Sequence, residues 1–295
     1  HMEISTDVIP RIVPTFSDQG KVTKKAAEEI GLPEGIPVLY RAGDQPNNAL
    51  SLNVFKPGEI AATGGTSGVV YAVTDSTITK ESLRINSFAH VNYTKEAPRI
   101  GKLLNINGAG ILYRWMQQQI ASSGDSYQAM NQLAGSVPIG SDGLCILPFG
   151  NGAERMLNNE SKGASILNLN FNLHRKEHLM RAALEGIAFS FVYGIDILKN
   201  DGVDLSVIRA GNDNLFRSEI FSNTIATLVG ADIRIMETTG AVGAARAAGV
   251  SSGTFRTIEE AVSGNEHAVT FHPSRDKKNY MEVEILNETQ FEFRM

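Results

Sequence analysis

Apolar positions follow a two-residue period in some stretches of the chain and a helical period in others. Residues 59–63 and 69–73 are β-rich runs separated by Gly64-Gly65-Thr66-Ser67-Gly68, a pattern that predicts a hairpin with a glycine-rich turn. From Gly108 the period lengthens: Ile111, Leu112, Trp115, Met116 and Ile120 recur at helical spacing until Ser122-Ser123-Gly124 closes the pattern. A longer helix is predicted over 176–199, with Leu179, Ala183, Ile187, Phe191 and Ile195 on one stripe and Asn200-Asp201-Gly202 as its stop. Strand and helix patterns then alternate: a strand at 207–209, a turn at Gly211, a helix near 218–228, a strand at 233–236 and a small-residue helix over 241–248. Ahead of the hairpin, 23–31 read as a short helix stopped by Gly31, and 38–40 as a strand that delivers Gly43-Asp44 to its end. The runs 88–93 and 103–106 extend the sheet. This order is that of an α/β fold with helices packed on a sheet.

Composition narrows the class. The 295 residues are 42% hydrophobic and 20% charged, enough apolar material for one or two globular domains and too much for disorder. Net charge is −5 and no basic run is longer than a pair such as Lys277-Lys278, so no stripe suits a nucleic-acid backbone. No apolar run is long enough to span a bilayer and no charged-then-apolar leader opens the chain, so no membrane partner and a cytoplasmic location are expected. The lone cysteine, Cys145, sits in Leu144-Cys145-Ile146-Leu147 and reads as a buried strand residue. His1-Met2 reads as a cloning remnant, and the proline-punctuated stretch before residue 15 as an interdomain linker, which places the start of the chain at a domain boundary.

Few segments carry chemistry on their own. Gly64 to Gly68 offers bare backbone and two hydroxyls, which suits close approach to phosphate oxygens and equally suits a hairpin turn. No P-loop and no protein-kinase signature set is present. His174-Arg175-Lys176-Glu177-His178 matches an inverted zinc-peptidase pattern, but no companion acidic ligand accompanies it, and a solvated helix entrance is the expectation. Glu154-Arg155, after Pro148-Phe149-Gly150-Asn151-Gly152, reads as a structural ion pair rather than an active-site contact. Asp44 follows a glycine where side chains project into clefts, a position equally open to a turn aspartate.

Taken in order, Gly43-Asp44-Gln45, Pro57-Gly58, Gly65-Thr66-Ser67-Gly68, Gly110 with Trp115, Gly152-Ala153-Glu154-Arg155, the run from Arg181 to Phe189, Gly211 with Ser218, and Gly240-Ala241-Val242-Gly243-Ala244-Ala245 resemble the carboxy-terminal half of the FGGY carbohydrate kinases. Within that family the chain is most similar to xylulokinases. The resemblance runs from about Ile12 to Gly253 and implies a ribonuclease-H-like domain of the actin and Hsp70 ATPase type, a mixed sheet flanked by helices. It divides the chain into 1–14, a nucleotide-binding domain over 15–271 and a tail over 272–295. By resemblance Asp44 is the catalytic base and lies near Mg²⁺, and Gln45 contacts the polyol. Gly65, Thr66 and Ser67 form the phosphate turn, Gly110 and Arg114 contact the nucleotide from a helix opening, and Gly211, Asn212 and Ser218 form the adenosine loop.

The implied function is the ATP-binding half of a ketopentose kinase that makes xylulose 5-phosphate. The sugar would be bound through an absent amino-terminal domain, leaving this half inactive alone, with exposed apolar surface and a homodimer as one outcome. A glycerol or other polyol kinase, and a stand-alone nucleotide-binding subunit, are the alternatives. The chain departs from the family pattern in Ala210-Gly211-Asn212, where three glycines are usual, in about two extra residues before Ser218, and in Asn168, where a glycine is usual.

Overall fold

The computed structural model describes residues 5–264, 267–275, 279, 280 and 282. In chain order the elements are α1 (Lys24–Ile30), α2 (Asp44–Ser51), β1 (Glu59–Gly64), β2 (Gly68–Thr74), β3 (Asn86–Ala89), β4 (Ile100–Ile106), α3 (Gly110–Gln119), α4 (Tyr127–Gly135), β5 (Cys145–Leu147) and β6 (Ser165–Leu167). There follow α5 (Lys176–Asn200), β7 (Val207–Gly211), α6 (Glu219–Val229), β8 (Ile233–Met236), α7 (Gly240–Ser251), α8 (Ile258–Val262) and β9 (His267–Phe271). Among the described residues seven strands form one sheet in the order β3-β4-β2-β1-β7-β8-β9, and β5 pairs with β6 apart from it. The short turn at 65–67 forces β1 and β2 antiparallel, whereas α6 carries the chain back so that β7 and β8 run parallel to each other and to β1. The expected mixed sheet is therefore present.

Alternation divides the sheet into two buried faces. Ile60, Ala62, Val70, Ala72, Leu104 and Ile106 point into the larger core shared with α5 and α6. Ala61, Tyr71, Val73 and Leu103 point the other way, onto Ala49, Leu52 and Val54 of α2 and the loop after it. Helix α5 crosses the molecule so closely that a side chain at Gly186 would stand 2.0 Å from the Ile146 carbonyl oxygen. Its Arg181 and Glu185 are both buried: Glu185 accepts from Arg181 Nε at 2.8 Å and from the Gly140 amide at 3.0 Å. Burial raises the Glu185 carboxyl above the usual range, and Arg181 opposes that shift.

Two polar devices fasten the sheet. Lys102 on β4 is fully buried, 2.5 Å from Asp201 at the end of α5, and Asp201 also accepts the amides of Lys80 and Glu81. On the other face His90 accepts from the Tyr71 hydroxyl at 3.0 Å and donates through Nε2 to the Val54 carbonyl at 3.0 Å. Burial lowers the His90 pKa to about 4, so the ring is neutral at pH 7.

Several expectations change. Residues 38–40 are extended but join no sheet; Val38 instead exchanges hydrogen bonds with Gln19 and Gly20 in the preceding loop, and Asp44 opens helix α2 rather than ending a strand. Helix α4 was not foreseen, because only Met130 and Ala134 of its nine residues are buried and its apolar stripe is too thin to read. Asn168 adopts φ 59°, the left-handed region that favours glycine and that asparagine tolerates best among other residues, which accounts for its standing where the family has glycine. The alternating pattern over 282–286 lies outside the described residues except for Glu282.

Candidate functional site

The β1–β2 turn projects from the carboxyl end of the parallel strands, where ligands of open α/β sheets bind. Its shape is held from behind by α3: the Gly110 amide donates to the Gly65 carbonyl at 2.9 Å and the Ile111 amide to the Thr66 carbonyl at 3.2 Å. A side chain at Gly110 would sit 2.4 Å from the Gly65 oxygen, so only glycine fits there. All peptide bonds among the described residues are trans, and in a trans unit the carbonyl and the following N–H point opposite ways. Carbonyls drawn back to α3 thus push the Thr66 and Ser67 amides forward, and among the described residues neither amide has an intramolecular acceptor. At Gly65 the backbone is not left-handed and a side chain would meet nothing closer than 3.7 Å. The glycine there leaves the turn bare rather than making it foldable.

Beside the turn opens a cleft of about 1030 Å³. Gly65 and Thr66 floor one end, Gly110 and Arg114 of α3 form one side, and Ser218 with the segment before it forms the other. Ser218 is 3% exposed and its hydroxyl has no partner among the described residues, which fits a bound ligand that supplies one. Gly211 and Asn212 do not reach the cleft. The Asn212 amide donates to Met236 O at 3.2 Å and its side chain to Glu237, so the loop turns to β8 and offers Asp213 and Asn214 in their place. Asn214 is fixed by accepting the Phe216 amide at 3.1 Å.

Asp44 lies across the turn from this cleft. Helix α2 packs on the opposite face of the sheet and starts at its carboxyl end: Asn47 donates to Gly240 O at 2.9 Å, and Asn48 donates to Thr63 Oγ1 at 3.1 Å, immediately before the turn. Asp44 is one helical turn beyond Asn48 on the same side, about 6 Å further along the axis. Its carboxylate is exposed and accepts the Gln45 backbone amide at 2.9 Å, while the Gln45 side chain stands 3.5 Å from it. Gln45 is thus placed against Asp44 itself.

The profile of the FGGY family of carbohydrate kinases, C-terminal domain, matches residues 60–252. The chain belongs to that family. It is 30% identical over 244 residues to gluconokinase of Bacillus subtilis, covering 79% of this chain and 46% of that one. It is 28% identical over 214 residues to xylulose kinase of Haemophilus influenzae, covering 69% and 39%. This FGGY domain therefore spans about half the length of the curated relatives it matches. The crystal structure of xylulose kinase from Rhodospirillum rubrum superposes with a TM-score of 0.81 at 24% identity, covering 98% of this chain and 59% of that one. The fold is that of the actin, Hsp70 and ribonuclease-H-like ATPases.

The family domain also disposes of the competing motifs. His174 and His178 each use both ring nitrogens: Nδ1 accepts the backbone amides of Asn170 and Arg175, and Nε2 bonds to Asp142. No imidazole nitrogen is left for zinc, and no metal-sized cluster of ligands occurs among the described residues. Glu154 and Arg155 do not pair with each other; Glu154 accepts from Asn105 at 3.2 Å and Arg155 donates to Asn86. That corrects the ion-pair expectation: Glu154 lies at φ 48°, and the two side chains reach different strands. Cys145 is buried on β5 and its thiol is pushed up to about 12, an inert state. No helix among the described residues is long and apolar enough to cross a membrane.

Proposed function

We propose that residues 15–271 form the nucleotide-binding domain of an ATP-dependent sugar kinase, with 1–14 as the linker from a sugar-binding half and 272–295 as a tail. The observation that carries this is the position of the β1–β2 turn, with a nucleotide-sized cleft on one side and Asp44 on the other. A triphosphate seated along the cleft would bring its terminal phosphoryl group over the Thr66 and Ser67 amides, and Asp44 would take the proton from the attacking hydroxyl. Gly110 holds the turn, and Arg114, exposed at the cleft wall, offers a cation to the phosphates. The unpartnered Ser218 hydroxyl and the bare Gly65 fit a bound nucleotide. Mg²⁺, which supplies charge neutralisation at the transferring phosphate, is usually held by one or two carboxylates plus substrate phosphates. Asp44 suits that role indirectly.

D-Xylulose is the proposed acceptor, giving xylulose 5-phosphate. The 30% identity to a gluconokinase makes D-gluconate the second acceptor to test. Apolar side chains exposed near the start, among them Ile12 at 86% and Ile30 at 61%, are where the sugar-binding half would dock, and where two isolated copies could meet as a homodimer. Calorimetric titration with Mg²⁺ and a non-hydrolysable ATP analogue tests the reading. Saturable binding to the wild type, weakened in Thr66→Val and retained in Asp44→Asn, with no sugar turnover by the chain alone, is the expected result. No binding to a folded chain, or xylulose turnover that survives Asp44→Asn, would overturn it.

A further inference from the structure

Helix α2 is packed at one end only. Its buried residues are Ala49, Leu50 and Ser51, and none of Asp44 to Asn48 is buried. The end that carries Asp44 is thus held by no buried apolar residue of its own. Nor is it capped: Gly43 makes no side-chain bond to the first turn, and the Asp44 carboxylate accepts the amide of its own neighbour, Gln45. A helix of eight residues is too short to hold such an end by its own hydrogen bonds.

Asn47 and Asn48 take the place of the missing packing. Asn47 donates to Gly240 O at 2.9 Å, where α7 begins, and Asn48 donates to Thr63 Oγ1 at 3.1 Å, at the end of β1. Neighbouring residues on a helix point about 100° apart, so the two bonds fix both the place of the helix on the sheet and its rotation about its own axis. Asparagine is a poor helix former, and a pair of them here breaks a local rule without local gain. Asn47 also leaves its Oδ1 buried and without a partner among the described residues, a cost borne for one outward bond. Glycine at 240 admits that bond, because a side chain there would stand 3.3 Å from Asn47 Nδ2.

Thr63 joins α2 to the turn. Ala61, two residues earlier, packs on Ala49 and Leu52, and alternation puts Thr63 on that same face. Gly64 follows, and then Gly65 and Thr66, whose carbonyls are held by α3. A single hydrogen bond therefore connects α2 to the strand end from which the turn springs, on the face opposite the cleft.

We infer that Asn47 and Asn48 are positioning residues that hold Asp44 in register with the β1–β2 turn, and that the Asn48–Thr63 bond passes the liganded state of the turn to α2. Asp44 lies three and four residues before them, one helical turn away on the same side, so a slip at Asn48 carries the carboxylate with it. This inference rests on the proposed roles of Asp44 as base and of the turn as phosphate site.

The test is backbone hydrogen exchange of the 295-residue chain, with and without Mg²⁺ and adenosine imidotriphosphate, in the wild type and in Asn48→Ala, Thr63→Val and Thr63→Ser. In the wild type the ligand is expected to slow exchange at 65–67, where it sits, and also over 47–51, on the other face of the sheet. In Asn48→Ala and Thr63→Val the slowing at 65–67 should remain and that over 47–51 should vanish. The free variants should also exchange roughly fivefold faster over 47–51, the worth of one hydrogen bond. Thr63→Ser keeps the hydroxyl and should behave as the wild type. Were α2 held only by its own helical bonds and its packed end, Asn48→Ala would instead slow its exchange, since alanine is the better helix former. Exchange over 47–51 that ignores a ligand seated at 65–67 in the wild type, or a response that survives in Asn48→Ala and Thr63→Val, overturns the inference and leaves the nucleotide site standing. A ligand that fails to slow 65–67 in a folded wild type removes the nucleotide reading, and this inference with it.

Discussion

Gly65 and Gly110 touch each other across the turn and tolerate a methyl group very differently. A Cβ at Gly110 would be 2.4 Å from a backbone oxygen that cannot move without releasing the turn, whereas at Gly65 the nearest atom is 3.7 Å away. Gly110→Ala is therefore expected to cost about 1–3 kcal/mol of stability, as overpacking does, and to weaken nucleotide binding because the turn amides lose their aim. Gly65→Ala should leave stability within about 0.5 kcal/mol yet still weaken binding, since its methyl group stands where the ligand approaches. Urea midpoints beside calorimetric affinities separate the two effects; wild-type affinity in Gly65→Ala would mean that no ligand comes close to that residue.

Elements were legible where burial imposed a period. The β1–β2 hairpin, α3, α5 and the β7-α6-β8 succession each carry a side-chain pattern that core packing demands, and each lies within a few residues of its predicted place. Helix α4 failed the same test because it spends its face on the cleft, and the pairing of residues 38–40 failed because strand-like residues can bond to a loop as well as to a sheet. At the site, Gly65, Thr66, Gly110, Arg114 and Ser218 line one cleft. No motif revealed that α3 points its amides at the turn rather than into the cleft, nor that the loop at Asn212 folds away. A clasp joining β4, α5 and the segment at 80–81 was equally invisible, since Lys102 and Asp201 are 99 residues apart. Lys102→Met would leave the Asp201 carboxylate buried without its cation and should cost about 3–5 kcal/mol. Adding Asp201→Asn to it is expected to recover much of that loss in chemical denaturation; a double variant no more stable than the single would show that Asp201 is held by the Lys80 and Glu81 amides alone.

For the whole molecule, His90 sets a limit in acid. Its folded pKa of about 4 lies below its ordinary value of 6.5, so the unfolded chain takes up a proton that the folded one refuses. The neutral ring's contribution is complete above pH 6.5 and is lost as pH falls towards 4, amounting to about 3 kcal/mol across that window. Glu185 acts in the opposite sense, because a raised carboxyl binds its proton more readily in the folded state. The difference in stability between wild type and His90→Phe, followed from pH 7 to pH 4, isolates the histidine: it should shrink as pH falls, and a constant difference would contradict the assignment. Acid thus acts on the α2 face of the sheet, away from the cleft. The contact between α3 and the turn has an electrical side as well. A helix ends in a partial positive pole, and here its first amides are spent on carbonyls whose own peptide units point the same way. Those two units prolong the column of aligned dipoles beyond α3, so an anion at Thr66 and Ser67 would feel the field of a ten-residue helix whose own first amides are bonded elsewhere.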